Sequence, residues 1–459
     1  MVGITCAYFY QGDGWYQNTR FDLVRAILEK HTLRIDAYAA NTGDRSFHEG
    51  HTYLPTAPGH PLATVPFIAL ARPIVALGVD ATSDRGVRVL TYLGSVATGA
   101  LPTVLAVLLI LWCAQALGAS PGGAAFAAAV YGLGCPAWVY ATFFWGHALS
   151  AFCLIAGFAA ALALREARSP RSDLLLGAAV GFGGGWATFT EYPAVAAAAI
   201  LSMLALVHTW PRGRGAMARA AAGILVGAGV CVVALLLYQR AAFGSFWHNS
   251  YASMVGQGGM KEGIIGVTYP KTEAIRGLLI GRFRGLLPLA PVLAASPLGF
   301  ALLVTVPRAR AASVAAVLVF LFYLLFYASF VYWHGGWCFG PRYLGSALPF
   351  LCLPLAIVWD RAPKLLKPIL GIVALAGVAL ALLGASTDAL TNVAIRDPVV
   401  DVYWPAFRRG QMMLTSRTTG AWNLGQLVGL KGLASLAPLV AVWIGAAVLW
   451  LRGLRDRVR

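Results

Sequence analysis

Charged side chains are scarce in this sequence, and acidic ones are the scarcest. Only 12% of the 459 residues are charged, with 18 Asp and Glu against 35 Lys and Arg, whereas 59% are hydrophobic and the mean hydropathy is +0.71. Soluble globular domains carry about 25% charged residues, so the composition excludes that class. Apolar runs of about 20 residues recur along the chain, which indicates transmembrane helices.

Cysteine pairs, metal-ligand spacings and internal repeats are also missing. The seven cysteines lie mostly inside apolar runs without paired spacing, so we interpret them as small buried residues and not as disulfides or metal ligands. His48, Glu49 and His51 match no strong zinc pattern, so neither a metal nor a cofactor is predicted. The lack of an evident repeat weakens a transporter built from inverted repeats. No cleavable signal peptide is expected, because the first ten residues lack a basic region and a cleavage site.

The net charge of +17 is distributed in a way that argues against nucleic-acid binding. The basic residues concentrate in short loops that alternate along the chain with other loops, as the positive-inside rule requires. We therefore predict that these loops and the C-terminus are cytoplasmic, in an integral inner-membrane protein whose active face lies outside. The basic residues concerned are Arg165, Arg168, Arg171, Arg212, Arg214, Arg219, Arg308, Arg310, Arg361, Lys364, Lys367, Arg452, Arg455, Arg457 and Arg459.

The apolar runs predict an all-α, polytopic membrane protein with about 12 transmembrane helices, in a range of about 11 to 13. The whole chain, 1–459, is expected to form a single integral-membrane domain. Met1 to Tyr10 is too short to cross alone, so it is either a clipped first span or a span continued through Gly14 and Trp15. The other spans are expected near 89–117, 124–141, 146–164, 174–190, 192–209, 217–239, 285–306, 313–333, 343–360, 365–385 and 433–452.

The first segment predicted to lie outside, 11–88, is long and polar. It is expected to contain a helix on the membrane surface over Asn18–Lys30, with one apolar and one charged face. Leu62–Val79 is expected to be re-entrant or interfacial, because Arg72 and Pro73 interrupt its apolar run. The remaining units are a helical module at 89–239, an outside segment at 240–284, a helical bundle at 285–385, an outside segment at 386–432, and a last helix with a basic tail at 433–459.

Reaction chemistry is expected in the polar outside segments, because reactive polar groups are costly in lipid. The first segment is either such a site or a loop that only connects helices. Asp44, in a turn-forming Asn-Thr-Gly-Asp sequence, is our first candidate for a general base. Glu191, in a Thr-Glu-Tyr-Pro turn between two apolar runs, is the second candidate, or else a helix-terminal residue that reaches water. Asp13 is the third. His147, at the start of a predicted span, is either a helix cap or a substrate contact.

Four cations lie next to spans on the predicted outside face. A cation beside an apolar groove suits a lipid phosphate, because charge pairing and burial of the lipid tail act together. For any one of them, the alternative is a side chain that extends to the lipid headgroups. Because their number runs against the positive-inside tendency, we predict phosphate binding by Arg342, Lys271, Arg282 and Arg284.

Several short motifs resemble the integral-membrane glycosyltransferases of the C-type superfamily, in particular bacterial relatives of protein O-mannosyltransferases and of the lipid A aminoarabinose transferase. Thr19-Arg20-Phe21 is similar to the Thr-Arg-Tyr of their first outside loop. Residues 53–59, Tyr-Leu-Pro-Thr-Ala-Pro-Gly, are similar to their tyrosine-containing motif. Gly-Pro-Arg-Tyr at 340–343 and Arg-Gly-Leu-Leu at 284–287 also match this group. The similarity runs over most of the chain.

This resemblance implies transfer of a sugar from a polyprenyl-phosphate donor to a lipid, glycan or protein acceptor on the outer face of the membrane. A loop carboxylate would act as the base, and cations would hold the donor phosphate. Membrane lipid is the other implied partner, nucleic acid is not a partner, and a membrane-protein partner is left open. The expected substrate contacts are Arg20, His51, Tyr53, His147 and Trp337.

Two positions depart from the family pattern. Gln17-Asn18 occupies the place where the family has an acidic residue, and Thr56 the place where it has lysine. Either Asp44 or Asp13, together with Arg342, has taken over these roles, or the activity is lost. The alternative function is therefore a non-catalytic relative that binds lipid or serves as a subunit of a membrane assembly. A transporter is disfavoured by the absence of repeats and of charged residues in mid-span.

Overall fold

The computed structural model describes the backbone of residues 1–458 and all of their side chains except those at 416–417, 450–451 and 453–458. The predicted cytoplasmic side chains at 455, 457 and 459 lie outside this part. The helices are α1 (Val2–Ala7), α2 (Trp15–Lys30), α3 (Gly59–Ala76), α4 (Asp84–Ser95), α5 (Leu101–Ala116), α6 (Pro121–Leu133), α7 (Ala137–Tyr140), α8 (His147–Ala163), α9 (Pro170–Thr190), α10 (Ala194–Thr209), α11 (Arg214–Phe243), α12 (Thr272–Leu279), α13 (Leu286–Leu289), α14 (Ser296–Thr305), α15 (Arg310–Ala328), α16 (Leu348–Cys352), α17 (Leu355–Arg361), α18 (Leu366–Ser386), α19 (Trp404–Arg408), α20 (Ser416–Thr419), α21 (Leu424–Leu427) and α22 (Ala437–Val458).

Within the described residues, eight helical segments are long and apolar enough to cross a membrane, judged by length and composition. Each span predicted from the sequence overlaps helical structure. The prediction of an all-α, polytopic membrane protein is confirmed, and the total of about 12 crossings stays a prediction. The eight segments are Asp84–Ala116, His147–Glu166, Ala194–Arg212, Arg214–Phe243, Arg310–Ala328, Arg342–Arg361, Leu366–Ser386 and Gly432–Leu449.

The first ten residues do not continue as a helix through Gly14 and Trp15, so that alternative is wrong. Helix α1 ends at Ala7, and Phe9–Tyr10 forms strand β1. This strand pairs antiparallel with β5, Trp422–Asn423, which belongs to the polar segment 386–432 before the last helix. The backbone leaves the helix here because its polar groups hydrogen-bond to another part of the chain.

The predicted surface helix is present as α2, but its apolar face packs on protein. Phe21 and Val24 form a cluster with Ile68 of α3 and with Phe144. Helix α3 contains Pro66 and Pro73 and has exposed apolar side chains along one face. Whether it crosses the membrane stays a prediction. Helix α2, through Tyr16 and Arg20, closes one side of the space described below, and α3 packs behind it.

Helix α9 packs closely against α11. It begins with a capping box formed by Ser169 and Ser172, with Pro170 at its first position. A Cβ atom on Gly181 would lie 2.1 Å from the Ile224 carbonyl oxygen of α11. Only glycine permits this close approach of two helix backbones. The contact holds α9 against α11, and it thereby fixes the position of the residue at which α9 ends.

The basic loops that separate the spans meet at one end of the helices. Arg165 donates a 2.5 Å hydrogen bond to the Arg308 carbonyl oxygen, and Arg308 lies 2.8 Å from Glu166. Arg212 pairs with buried Asp173 at 2.7 Å. Helices α9 and α11 run away from this end and α10 runs back toward it, so the polar segments at the opposite ends of these helices lie on a separate face. The chain is an integral, multi-pass membrane protein with two chemically different ends.

Candidate functional site

Asp44 directly precedes a small β-sheet in the first polar segment, 11–88. Strand β2, Arg45–His48, pairs with β3, His51–Tyr53, through a two-residue turn at Glu49 and Gly50. Both turn residues have positive φ, as tight hairpin turns require. On its other edge, β2 pairs with β4, Met254–Val255, from the distant segment 240–284. This pairing places Gln257 beside Asp44, and its amide donates a 2.8 Å hydrogen bond to the carboxylate.

Glu191 lies where α9 ends, because its backbone is extended and Pro193 follows two residues later. Its side chain is only 8% exposed. It contacts the His147 imidazole at the start of α8, and the Ser346 hydroxyl donates a 2.9 Å hydrogen bond to it. The buried carboxylate is therefore held by partners from two other helical segments, as a buried charge requires.

Arg342 follows a glycine-rich turn, in which Gly340 has φ +58°, and begins the helical segment that leads into α16. Its guanidinium carbon lies 4.4 Å from the centre of the Tyr16 ring, and that of Arg20 lies 3.5 Å from the same ring. Such cation–π contacts hold an arginine without neutralising its charge. The two guanidinium groups are therefore close neighbours, although their residues are far apart in the sequence.

These groups line one cavity of about 530 Å³. Its polar side is formed by Arg20, Asp44, His147, Glu191 and Arg342. Its other side is apolar and is contributed by α10, α15 and the segment that follows β4. The apolar lining includes Val195, Met260, Ile264, Phe322, Phe326 and Phe330. A pocket with charged side chains on one side and apolar side chains on the other suits an amphipathic ligand.

The two arginines of the cavity have no carboxylate partner. Among the described residues, neither Arg20 nor Arg342 forms an ion pair, although they are only 1% and 9% exposed. The Nε atoms of both also lack a hydrogen-bond partner in this part of the chain. Burial of unpaired cations is costly, so the arrangement favours an anionic ligand such as a phosphate.

The two carboxylates are placed in different electrostatic environments. Burial raises the pKa of Asp44 above the usual aspartate range, and Arg342, Arg20 and the Gln257 hydrogen bond lower it only in part. Burial also raises the pKa of Glu191, but its contacts with His147 and Ser346 outweigh this and leave the pKa below the usual range. Groups whose pKa values are pushed apart are typical of acid–base sites. Asp44 is the better proton acceptor of the two.

Five of the residues singled out in the sequence therefore meet in the cavity, and seven do not. Asp13 pairs with Arg88 at 3.2 Å, and His51 pairs with Asp36 at 2.9 Å. Tyr53 packs in a separate core cluster against Phe243, and Trp337 is exposed. These four residues therefore lie outside the lining of the cavity that contains Asp44: the first three contact other residues, and Trp337 is exposed.

Three of the four predicted phosphate-binding cations also lie outside the cavity lining. Lys271 precedes α12, and Arg282 is exposed, 3.7 Å from Asp397. Arg284 is fully buried, and its guanidinium donates hydrogen bonds to backbone carbonyl groups. We therefore do not retain these three as donor contacts. Arg342 is the exception, because the turn before it directs its side chain toward Tyr16.

The aromatic part of the site was not predicted from the sequence. Tyr16, Tyr251, Tyr327 and Tyr343 all line the cavity, and Tyr343 stacks on Tyr327 with ring centres 4.4 Å apart. Gln257 was missed as well. Tyr343 directly follows Arg342 in the Gly-Pro-Arg-Tyr motif and could have been found there. Nothing in the local sequence distinguishes the other residues from core or loop residues.

No protein-family model matches the chain, and no curated protein sequence is similar to it. Solved structures do match. One is ArnT from Cupriavidus metallidurans bound to undecaprenyl phosphate, at 16% sequence identity and a TM-score of 0.51, covering 84% of this chain and 63% of that protein. Another is ArnT from the same organism in the apo state, at 15% identity and a TM-score of 0.52, covering 84% and 62%.

The archaeal oligosaccharyltransferase AglB from Archaeoglobus fulgidus, in complex with an inhibitory peptide and a dolichol-phosphate, matches at 11% identity and a TM-score of 0.46. That match covers 83% of this chain and 53% of AglB. The match to ArnT confirms, for the fold, the predicted resemblance to C-type glycosyltransferases. The chain spans less than two thirds of the length of ArnT.

Proposed function

We propose that this chain, which has the fold of ArnT, is a glycosyltransferase that moves a sugar from a polyprenyl-phosphate donor to an acceptor hydroxyl on the outer face of the membrane. The observation that carries the proposal is the convergence of Arg20 and Arg342, two buried arginines without carboxylate partners, with Asp44 and Glu191 in a cavity that has one apolar wall.

The donor phosphate would bind between the two guanidinium groups that contact Tyr16. Arginine presents a planar set of N–H donors that matches phosphate oxygens, so two arginines can hold one phosphate in a defined orientation. They would also stabilise the negative charge that develops on the phosphate as the sugar leaves. Within the described part of the chain neither arginine forms an ion pair, which leaves both cations available for this role.

The polyprenyl chain would lie along the aromatic and aliphatic wall. Phe322, Phe326 and Phe330 lie on α15 or directly after it, and Val195 lies on α10. Because α10 and α15 contact each other and are both among the candidate spans, this wall leads from the phosphate site toward the apolar part of the molecule. Burial of a methylene group on such a surface contributes about 0.8 kcal/mol, so a long chain would bind strongly.

Asp44 would act as the general base. It would accept the proton of the acceptor hydroxyl while the hydroxyl oxygen forms a bond to the anomeric carbon of the sugar, and the bond from that carbon to the phosphate oxygen would break. The products would be the glycosylated acceptor and the free polyprenyl phosphate held by the arginines. Glu191, ionised and fixed by His147, would favour positive charge on the sugar ring in the transition state. Asp13 is not retained, because it pairs with Arg88.

The comparison with ArnT supports the donor class, since that protein was solved with undecaprenyl phosphate. The acceptor and the direction of transfer rest on the chemistry of the cavity alone. A non-catalytic, lipid-binding role is the second candidate, and one observation favours it. Thr56, where related transferases have lysine, lines the cavity, and its buried hydroxyl has no hydrogen-bond partner among the described residues.

A paired binding and transfer assay tests both candidates. Purified protein would be offered undecaprenyl phosphate in detergent, and then a panel of polyprenyl-phosphate sugars with lipid and glycan acceptors. The transferase proposal expects binding of undecaprenyl phosphate and turnover with at least one donor. Binding without turnover for any donor would favour the lipid-binding role, and absence of binding would contradict both.

A further inference from the structure

Arg284 is completely buried and yet has no carboxylate partner among the described residues. Its Nε donates a 3.2 Å hydrogen bond to the His334 carbonyl oxygen, and one Nη atom donates to the carbonyl oxygens of Gly336 at 2.9 Å and of Thr391 at 3.1 Å. The guanidinium thus joins three outside segments that are distant in the sequence. Burial of a charged group at this depth is costly, so we infer that these hydrogen bonds have a specific structural effect.

The segment that Arg284 holds, Trp333–Arg342, ends at the cavity arginine. Gly335 and Gly336 both have positive φ, which brings the backbone of the turn close to the Arg342 side chain. A Cβ atom on Gly335 would lie 3.0 Å from Arg342 Cγ and 3.2 Å from Arg342 Nε. The carbonyl groups that accept hydrogen bonds from Arg284 belong to the residues immediately before and after Gly335.

Besides this turn, the neighbours of Arg342 are aromatic side chains, and Tyr343 also interacts with its guanidinium group. The Arg342 Nε atom has no hydrogen-bond partner in the described part of the chain, and the guanidinium contacts the aromatic rings of Tyr16, Trp145 and Tyr343 at 4.4 to 5.2 Å. Ring contacts of this kind restrict distance more than direction. The turn at Gly335 comes so close to the base of this side chain that an added Cβ atom would collide with it, and Arg284 holds that turn through its hydrogen bonds to His334 and Gly336.

We propose that Arg284 is a positioning residue that fixes the direction of the Arg342 guanidinium through the backbone of His334, Gly335 and Gly336. This inference rests on the proposed function, in which Arg342 binds the donor phosphate. Arg284 does not touch the cavity, so its effect on the ligand passes through Arg342. A residue that only stabilised the fold would affect ligand binding in the same way whether or not Arg342 was present.

A double-mutant cycle on the binding of undecaprenyl phosphate separates these two roles. Arg284→Lys keeps the charge but cannot reproduce the planar set of donors to three carbonyl groups. We expect it to weaken binding about tenfold in the otherwise unchanged protein, and less than about twofold in the Arg342→Ala protein. Equal losses in both backgrounds would overturn the proposal. Arg282→Ala is the matched control: it lies two residues away, its side chain is 84% exposed, and its removal should leave binding unchanged.

Gly335→Ala tests the same connection from the other side and does not depend on Arg284. Its methyl group would push against Arg342, and a side chain at this positive φ also strains the turn, so we expect weaker binding with an effect several-fold larger in the presence of Arg342 than in the Arg342→Ala background. An effect of the same size in both backgrounds would contradict the proposal. Thermal unfolding of each variant in the same detergent would identify any that fails to fold.

A readout that needs no ligand keeps this inference separate from the proposed function. Phenylglyoxal modifies accessible guanidinium groups, and peptide mass spectrometry can locate the reaction at Arg342. We expect Arg284→Lys to increase modification of Arg342 several-fold, together with faster hydrogen exchange across 333–342, and Arg282→Ala to change neither. If the protein without substitutions failed to bind undecaprenyl phosphate, the proposed function would be contradicted, but the phenylglyoxal experiment would still test the positioning role of Arg284. An unchanged reaction of Arg342 with phenylglyoxal in Arg284→Lys would overturn that role.

Discussion

The Gln257 side-chain amide lies 2.8 Å from the Asp44 carboxylate, although the two residues are 213 positions apart in the chain. The pairing of β4 with β2 brings them together, and the segment that carries Gln257 also supplies Met260 and Ile264 to the cavity lining. The orientation of the proposed base therefore depends on the order of a segment that covers the ligand site. The segment that carries Asp44 and the segment that carries Gln257 therefore have to be ordered together for the base to be held in place.

Replacement of the proposed base should abolish most turnover without loss of donor binding. Asp44→Asn keeps the shape of the side chain and its hydrogen bond to Gln257, but an amide cannot accept the proton. We expect kcat to fall by about 10²-fold or more, with little change in the KM for the donor, because the interaction lost belongs to the transition state. Steady-state transfer kinetics with a polyprenyl-phosphate sugar would measure this.

Glu49→Gln is the control for this substitution, since Glu49 is a highly exposed carboxylate at the tip of the same hairpin. It should leave both constants unchanged. An Asp44→Asn enzyme with normal kcat would mean that another group is the base, and Glu191 would then be the first residue to test.

The pH dependence of turnover should report the raised pKa of Asp44. Because burial raises this pKa and the base must be ionised, activity should be present at higher pH and fall as the pH drops through a value above the usual aspartate range. Gln257→Leu removes one of the interactions that lower this pKa, so the acidic limb should move to still higher pH. A limb that stays in place in Gln257→Leu would show that the titrating group is not Asp44.

The cavity arginines should contribute to donor binding and not to the proton transfer. Arg342→Ala is expected to weaken binding of undecaprenyl phosphate by about 1.5 to 3 kcal/mol, the usual range for a hydrogen bond to a charged group. Arg20→Ala should have a similar effect, because its guanidinium contacts the same Tyr16 ring. Equilibrium binding in detergent would measure both. Normal affinity in the two variants would show that the donor phosphate does not bind in this cavity.

Cysteine labelling from outside the cell would test the orientation in the membrane. The seven native cysteines are all buried, so the background reaction should be low. We expect an impermeant maleimide to label Lys271→Cys and not Arg214→Cys, because Arg214 belongs to the arginine-rich loops predicted to be cytoplasmic. Labelling of Arg214→Cys without labelling of Lys271→Cys would reverse the predicted topology.

Local chemistry explains why some site residues were found in the sequence. Glu191 was identifiable because a carboxylate between two apolar runs has few reasons to be there other than function or a helix end. Arg342 was identifiable from the Gly-Pro-Arg-Tyr turn. Arg284 was predicted to bind phosphate, but it lies outside the cavity lining and donates to backbone carbonyl groups. A cation beside a predicted span has the same local sequence whether it binds a phosphate or the backbone. Only the carbonyl groups around its guanidinium distinguish the two.

The sequence by itself determined the class of the protein and the location of its helices. Apolar runs of sufficient length must be helical in a membrane, since every backbone polar group there needs an internal partner. The tertiary structure alone decided which polar residues share a cavity. Asp44, Glu191 and Arg342 come together through the β2–β4 pairing, the close contact of α9 with α11 and the turn at Gly340. These are contacts between distant segments, and no periodicity or spacing along the chain records them.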